Sequence, residues 1–267
     1  MANNEDKLMM RFIQAALKPT GKRELSSTSD VDAGLGNKLL QVLEDIELTD
    51  MRAWCKPLRE FLSREKSDQL KFGDFDDVEA FLRAYRAAAA GRRASIKNPL
   101  VNQNAMPVLN LCRKPGIQLH DNSLVEDSDD AGYIFDENGT PVALISSNPV
   151  EINYSLMVLA HEKEVLNALT SYYAAWFRQF TNFGSTNFTT KTALAGAMVE
   201  VGCLIRDPKA VMIDDLSIAI SENRIFASSL SFTVVAPVLT AWKGKPANVT
   251  LDVFAGGGSG VMSNGRV

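Results

Sequence analysis

Residues 149–160 read Pro149-Val150-Glu151-Ile152-Asn153-Tyr154-Ser155-Leu156-Met157-Val158-Leu159-Ala160, and this stretch decides the fold. Ile152, Tyr154, Leu156 and Val158 fall at every second position, the period of a strand with one face turned to a core. The spacing then changes. Val165, Leu166, Leu169, Tyr172, Tyr173, Trp176 and Phe177 recur three and four apart, which predicts one long amphipathic helix over residues 162–180. A second alternating run follows at 224–237, where Phe226, Ser228, Leu230, Phe232 and Val234 share a face and Ile225, Ala227, Ser229, Ser231 and Thr233 take the other. Tyr172, Trp176 and Phe180 are expected to lie across the buried face. Strand, helix and strands follow one another with no catalytic constellation among them, which is the pattern of a packing unit.

Working towards the N-terminus, the character is helical. Leu8, Met9, Phe12, Ile13, Ala16 and Leu17 predict a helix over residues 4–17, halted by Pro19 and Gly21. Further helices are expected at 36–47, at 51–65 with Trp54, Leu58, Phe61 and Leu62, and at 76–93 with Val78, Phe81, Leu82 and Tyr85. Ser29 or Asp30 is placed to cap the first of these. From Asn98-Pro99 onwards, Asn, Pro, Gly and β-branched residues replace helix formers, marking a boundary. Strands are expected at 107–112, 117–119, 132–135 and 142–145, with Pro115-Gly116, Asp121-Asn122 and Asn138-Gly139 as turns. Others are expected near 186–190, 197–205 and 217–221.

The expected fold class is therefore α+β: a helical N-terminal region over residues 1–97, then over residues 98–255 a mostly antiparallel sheet packed against one long amphipathic helix, then a glycine-rich tail over residues 256–267.

Composition narrows the function classes. At 46% hydrophobic and 22% charged residues the chain has the make-up of a folded globule rather than a disordered one. A net charge of −4 offers no general attraction to nucleic acid or to an anionic membrane. No apolar run approaches the roughly 18 residues of a spanning helix, and the N-terminus lacks a signal-peptide pattern, so a soluble protein with no membrane partner is expected. Cys55, Cys112 and Cys203 are too dispersed for a disulfide framework or a zinc site.

Candidate chemistry reduces to weak fragments. His161-Glu162-Lys163-Glu164 begins like a zinc-protease motif, but Val165 stands where the second histidine must be; His120 is the only other histidine. Glu126, Asp127, Asp129 and Asp130 lack the glycine and glutamate of a Ca²⁺ loop. Gly34-Leu35-Gly36-Asn37-Lys38 lacks the spacing of a phosphate loop and is expected to be a helix start. No cofactor or metal is expected. Arg83, Arg86, Arg92, Arg93 and Lys97 form the clearest basic cluster, at a helix end, where they complement the macrodipole and could touch a partner or nucleic acid. Three readings compete: a structural, non-enzymatic protein that meets copies of itself; a nucleic-acid-binding adaptor using that cluster; and a hydrolase with a dispersed carboxylate site at Asp214, Asp215 or Glu222.

Asn98-Pro99-Leu100-Val101-Asn102, Met106-Pro107-Val108-Leu109-Asn110, Arg113-Lys114-Pro115-Gly116, the run Asn148-Pro149-Val150-Glu151-Ile152-Asn153-Tyr154-Ser155-Leu156, and Arg224-Ile225-Phe226-Ala227 together resemble virion proteins of tailed bacteriophages. The likeness covers residues 98–239 and is to the tail-terminator, neck or baseplate ring family. It implies a small α/β fold assembling into homo-oligomeric rings, contacts with other tail or neck proteins, location in the virion after synthesis in the host cytoplasm, and no catalytic residues. The helical first hundred residues depart from that family's pattern.

Overall fold

A computed structural model describes residues 17–50, 52–73, 75, 78–92, 106–119, 132–136, 138–179, 187–206, 212–220 and 223–246. Among them, ten strands and five helices alternate in an order unlike the expected one. β1 (Leu17–Leu25) opens the described chain, followed by α1 (Ser29–Glu44), α2 (Cys55–Leu62), α3 (Lys66–Gln69), β2 (Leu70–Phe72) and α4 (Val78–Arg92). Then come β3 (Val108–Leu119), β4 (Gly132–Phe135), β5 (Pro141–Ala160), α5 (Lys163–Gln179), β6 (Asn187–Leu194), β7 (Ala197–Arg206), β8 (Met212–Asp215), β9 (Ile218–Ile220) and β10 (Asn223–Pro246).

The expected fold class is corrected by this arrangement. The chain is mostly β: one curled, mixed sheet in the order β2-β3-β5-β10-β7-β6, with five helices around it. The N-terminal region is not a helical unit, because β1 pairs antiparallel with the end of β10 and β2 pairs parallel with β3. Nor does one helix serve the sheet alone: α1, α2 and α5 contribute Leu39, Phe61 and Tyr173 to a single core cluster with strand residues Ile152, Leu156 and Val234. The expected helix at 4–17 lies outside the described residues except for Leu17, which begins β1; the tail at 256–267 lies outside them entirely.

β10 is the spine. Along one edge it pairs with β5 without a register shift from Phe226↔Ala160 to Lys243↔Ala143. Along the other edge β8, β7 and β1 take successive portions, at Ser228–Ser231, Thr233–Val235 and Thr240–Pro246. Midway, Pro237 faces Pro149 across the β5–β10 ladder. Two prolines can oppose each other only where neither offers an N–H to its partner, so both nitrogens point outwards. Leu239, two residues on and of the same parity, confirms the direction: its N–H donates to Ser26 Oγ (2.9 Å) and its C=O accepts from Ser26 N–H (2.8 Å). The burial phase also changes there, from Val150, Ile152 and Tyr154 to Ile145 and Ala143 on β5, and from Val234 and Ala236 to Leu239 and Ala241 on β10.

Both faces of the sheet are used. Leu109, Leu111, Leu156 and Val158 point towards α1, α2 and α5. Their alternates Val108, Met157 and Leu159 point the other way, into a smaller cluster with Val78, Phe81 and Leu82 of α4. On α5 the buried side chains are Val165, Leu166, Leu169, Tyr173, Trp176 and Phe177, each worth about 1.5–3 kcal/mol. Tyr173 and Phe177 carry the deep contact: the Tyr173 hydroxyl donates to Leu39 C=O at 3.0 Å and Phe177 meets Phe232 at 5.0 Å between ring centres. Tyr172 is only partly buried and donates to Val42 C=O, while Phe180 lies outside the described residues.

Curling brings the two ends of the sheet to one helix. A Cβ on Gly34 of α1 would stand 2.8 Å from Thr190 Cβ of β6, and one on Gly36 would run into the ring tip of Phe72 on β2. Two glycines in mid-helix are costly for propensity, and here they let the helix lie between the terminal strands.

Candidate functional site

α1 is fixed by its first turn. Thr28 is the N-cap residue but makes no side-chain capping bond; its hydroxyl instead accepts from Arg113 Nη1 at 2.6 Å. Asp32 accepts from the Tyr154 hydroxyl at 2.7 Å and pairs with Arg113 at 3.3 Å. Burial, then the bond to Asp32, hold the Tyr154 phenol protonated well above its ordinary range. On the other flank Thr190 Oγ1 donates to Asp30 C=O at 2.5 Å. The helix is thus tied to β3, β5 and β6 at once.

Beyond that anchor an open groove of about 870 Å³ lies between α1 and the place where the sheet divides. β7 leaves β10 after the Val235↔Leu204 pair, and β1 joins only at Thr240. Between them residue 237 turns its backbone to the gap, and as a proline it presents a carbonyl and no N–H. A donor left without a partner is avoided by residue choice. One wall carries Asn37, Lys38 and Gln41 of α1; the others carry Phe188 and Thr189 of β6, Gly202 and Leu204 of β7, and Val235 and Pro237 of β10. Among the described residues Lys38 is the single charged one in the lining, with its ammonium 6.0 Å from the Trp176 ring.

The chemistry of this lining is that of contact. It combines amides, a hydroxyl, one ammonium and apolar strand residues, a set suited to an extended polypeptide. Cys203, also in the lining, has its thiol pushed up to about 11 by burial, so it is not a thiolate nucleophile near neutral pH. No signal in the sequence singled out this groove, although Gly34, Gly202, Pro149 and Pro237 stand in its lining.

The residues singled out from sequence are not brought together. Arg83 is exposed on α4; Arg86 and Arg92 lie in the same helix with side chains outside the described residues, and Arg93 and Lys97 lie outside them altogether. Asp214 and Asp215 are exposed on β8, and Asp215 accepts from the Ser217 N–H at 2.9 Å and hydroxyl at 2.5 Å, the bonding of a turn. Glu222, His120 and the run Glu126, Asp127, Asp129 and Asp130 lie outside the described residues. Gly34 to Lys38 fall within α1, not at its start. Among the described residues, no three His, Cys, Asp or Glu side chains converge as a metal site would require, and no helix is long and apolar enough to cross a membrane. The three cysteines stand as free thiols, with Cys55 and Cys203 buried.

Compared with models of known protein families and with curated proteins, the chain matches none.

Proposed function

We propose that the protein is a structural component of a bacteriophage tail, neck or baseplate, which forms homo-oligomeric rings and joins neighbouring virion proteins. The observation that carries this reading is the unfinished sheet: an open groove between β7 and β10, walled by strand edges and side chains suited to polypeptide contact. Apolar side chains close by add to it, since Leu204 of β7 is 41% exposed and Met198 at the start of the same strand 64%. Of the segments behind the phage resemblance, 98–102 lies outside the described residues and the later ones are neighbours. Residues 113–116 lie on β3, 148–156 on β5 and 224–227 on β10, three neighbouring strands of one sheet. In a ring, such a protein holds shape and meets its own copies, with the virion as its place of action.

Light scattering and electron microscopy of the purified full chain test the proposal. Closed rings, or copies retained on particles, are the expected result; a protein that stays monomeric at every concentration and never associates with particles overturns it.

A further inference from the structure

We infer that the end of the β1–β10 pair binds single-stranded nucleic acid, on a row of planar and cationic side chains that includes Arg23, Trp242 and Tyr133. The inference is independent of the ring reading and uses a surface other than the groove.

The first observation is where positive charge collects. β1 and residues 240–246 of β10 carry Lys18, Lys22, Arg23, Lys243 and Lys245 against one acidic residue, Glu24. Pairing brings these two segments together, with Lys18 at the register position opposite Lys245 and Arg23 opposite Trp242. Lys22, Arg23, Lys243 and Lys245 are exposed. The carboxylates at this end of the sheet are engaged: Glu24 is held by Lys243 and the Ala195 N–H, and Asp136 accepts from the Asn138 and Thr140 N–H groups of its own turn. A net charge of −4 over the whole chain therefore coexists with a local positive field here.

The second observation is the planar groups set among those cations. Arg23, Trp242, Leu144 and Tyr133 stand directly opposite one another on β1, β10, β5 and β4, so their side chains share one face. Their chain neighbours Ala241, Ala143 and Ile134 belong to the main core, which puts the row on the other face of the sheet. The Arg23 guanidinium lies 3.7 Å from the centre of the Trp242 ring, and the Tyr133 ring lies 6.4 Å from that of Phe135, which is 52% exposed. Lys22 sits in the irregularity between Pro19 and Arg23, while Lys243 and Lys245 alternate with Trp242 and flank the row from the opposite face.

Cations by themselves suit any polyanion, and the planar groups choose among them. A base stacks on an aromatic ring or on a guanidinium plane, and its phosphates then fall to the flanking lysines. A duplex keeps its base faces stacked inside, and an acidic polypeptide brings carboxylates without such faces. Little sequence preference is expected, since every base has a π-face.

Fluorescence anisotropy of a labelled oligothymidylate with the purified full chain tests the inference. Binding is expected to weaken with salt at a log–log slope of about −2 to −3, as for three or four phosphate contacts, and Lys245→Gln to make that slope shallower by about 0.7. Arg23→Lys keeps the charge and removes the plane. It is expected to lower affinity for the oligonucleotide about fivefold or more while leaving the weaker binding of polyglutamate unchanged, and Trp242→Leu to do the same. Arg23 is exposed, so Arg23→Lys carries the test should Trp242→Leu fail to fold. Lys163→Glu, on exposed Lys163 of α5, controls for net charge and is expected to leave binding as it is. Absence of salt-sensitive binding, affinity for a duplex or polyglutamate equal to that for the single strand, or affinity indifferent to Arg23→Lys each overturns the inference and leaves the ring reading standing.

Discussion

Replacing Gly34 with alanine sets two effects of known sign against each other. Alanine in mid-helix gains about 1 kcal/mol over glycine in propensity. Against this, the new methyl group would sit 2.8 Å from Thr190 Cβ, an atom fixed to the backbone of β6, so relief requires the strand or the helix to shift. Overpacking of this kind costs about 1–3 kcal/mol, and Asp30 and Thr190 are bonded to each other in the same contact. The net expectation is a loss of about 1 kcal/mol, or a melting temperature lower by about 2–4 °C for a chain of this size. Gly36→Ala is the internal control. Its methyl meets the ring of Phe72, which is 53% exposed and free to swing aside, so the propensity gain is retained and the protein is stabilised. Urea unfolding of both variants, with Gly34→Ala repeated in a Thr190→Gly background, isolates the contact as a coupling of about 1 kcal/mol. A Gly34→Ala protein about 1 kcal/mol more stable than wild type, with no coupling to position 190, would refute the view that α1 is wedged against β6.

Tyr154→Phe removes a bond to a charged acceptor and should cost about 1.5–3 kcal/mol in urea unfolding, since Asp32 keeps only Arg113; an unchanged midpoint contradicts the anchoring of α1. Glu24 accepts from Lys243 at 2.5 Å and from the Ala195 N–H at 2.6 Å, which together hold its carboxyl below the ordinary 4.5. Its contribution is therefore intact above pH 4.5 and fades as pH falls through the lower folded value. Protection of the Ala195 amide, its exchange rate relative to the intrinsic rate at each pH, should fall through that window in wild type and show no such step in Glu24→Gln. Cys203, with its thiol pushed up to about 11, should resist alkylation at pH 8 in the native protein and react on unfolding; rapid native labelling would show that the groove leaves it exposed.

Periodicity in the sequence carried the centre of the fold and little of its borders. The alternation of Leu230, Phe232 and Val234 and the helical spacing of Leu169, Tyr173 and Phe177 correspond to β10 and α5, because over these residues each element turns one face into the same core. The Asn138-Gly139 turn is likewise present, with Gly139 at φ 76° between β4 and β5. What misled was punctuation. Pro149 and Pro237 suggest strand ends, yet β5 and β10 run through them, because the two face each other in the ladder with both ring nitrogens turned away from it. Pro115-Gly116 likewise suggests a turn, where β3 continues across a bulge between Arg113 and Ile117. β1 was illegible for a different reason. Leu17–Leu25 contains Pro19 and Gly21 and has no apolar alternation; it is a strand because β10 supplies an edge for it, with the irregularity absorbed between Pro19 and Arg23. The groove was hidden for the same reason, since it arises from the parting of β7 and β10 and no local pattern encodes it.

Leu17 stands directly opposite Pro246, so the described chain enters and leaves side by side at one end of the β1–β10 pair. Tension drawn between these two points opens that ladder one rung at a time, as a zip is pulled. Tension between Pro246 and the far end of β5 at Ala160 instead loads the long β5–β10 ladder in parallel, so many rungs must yield together. The same molecule is thus compliant along one line of pull and stiff along another. A force applied at Pro246 meets one response or the other according to where the opposing force is held.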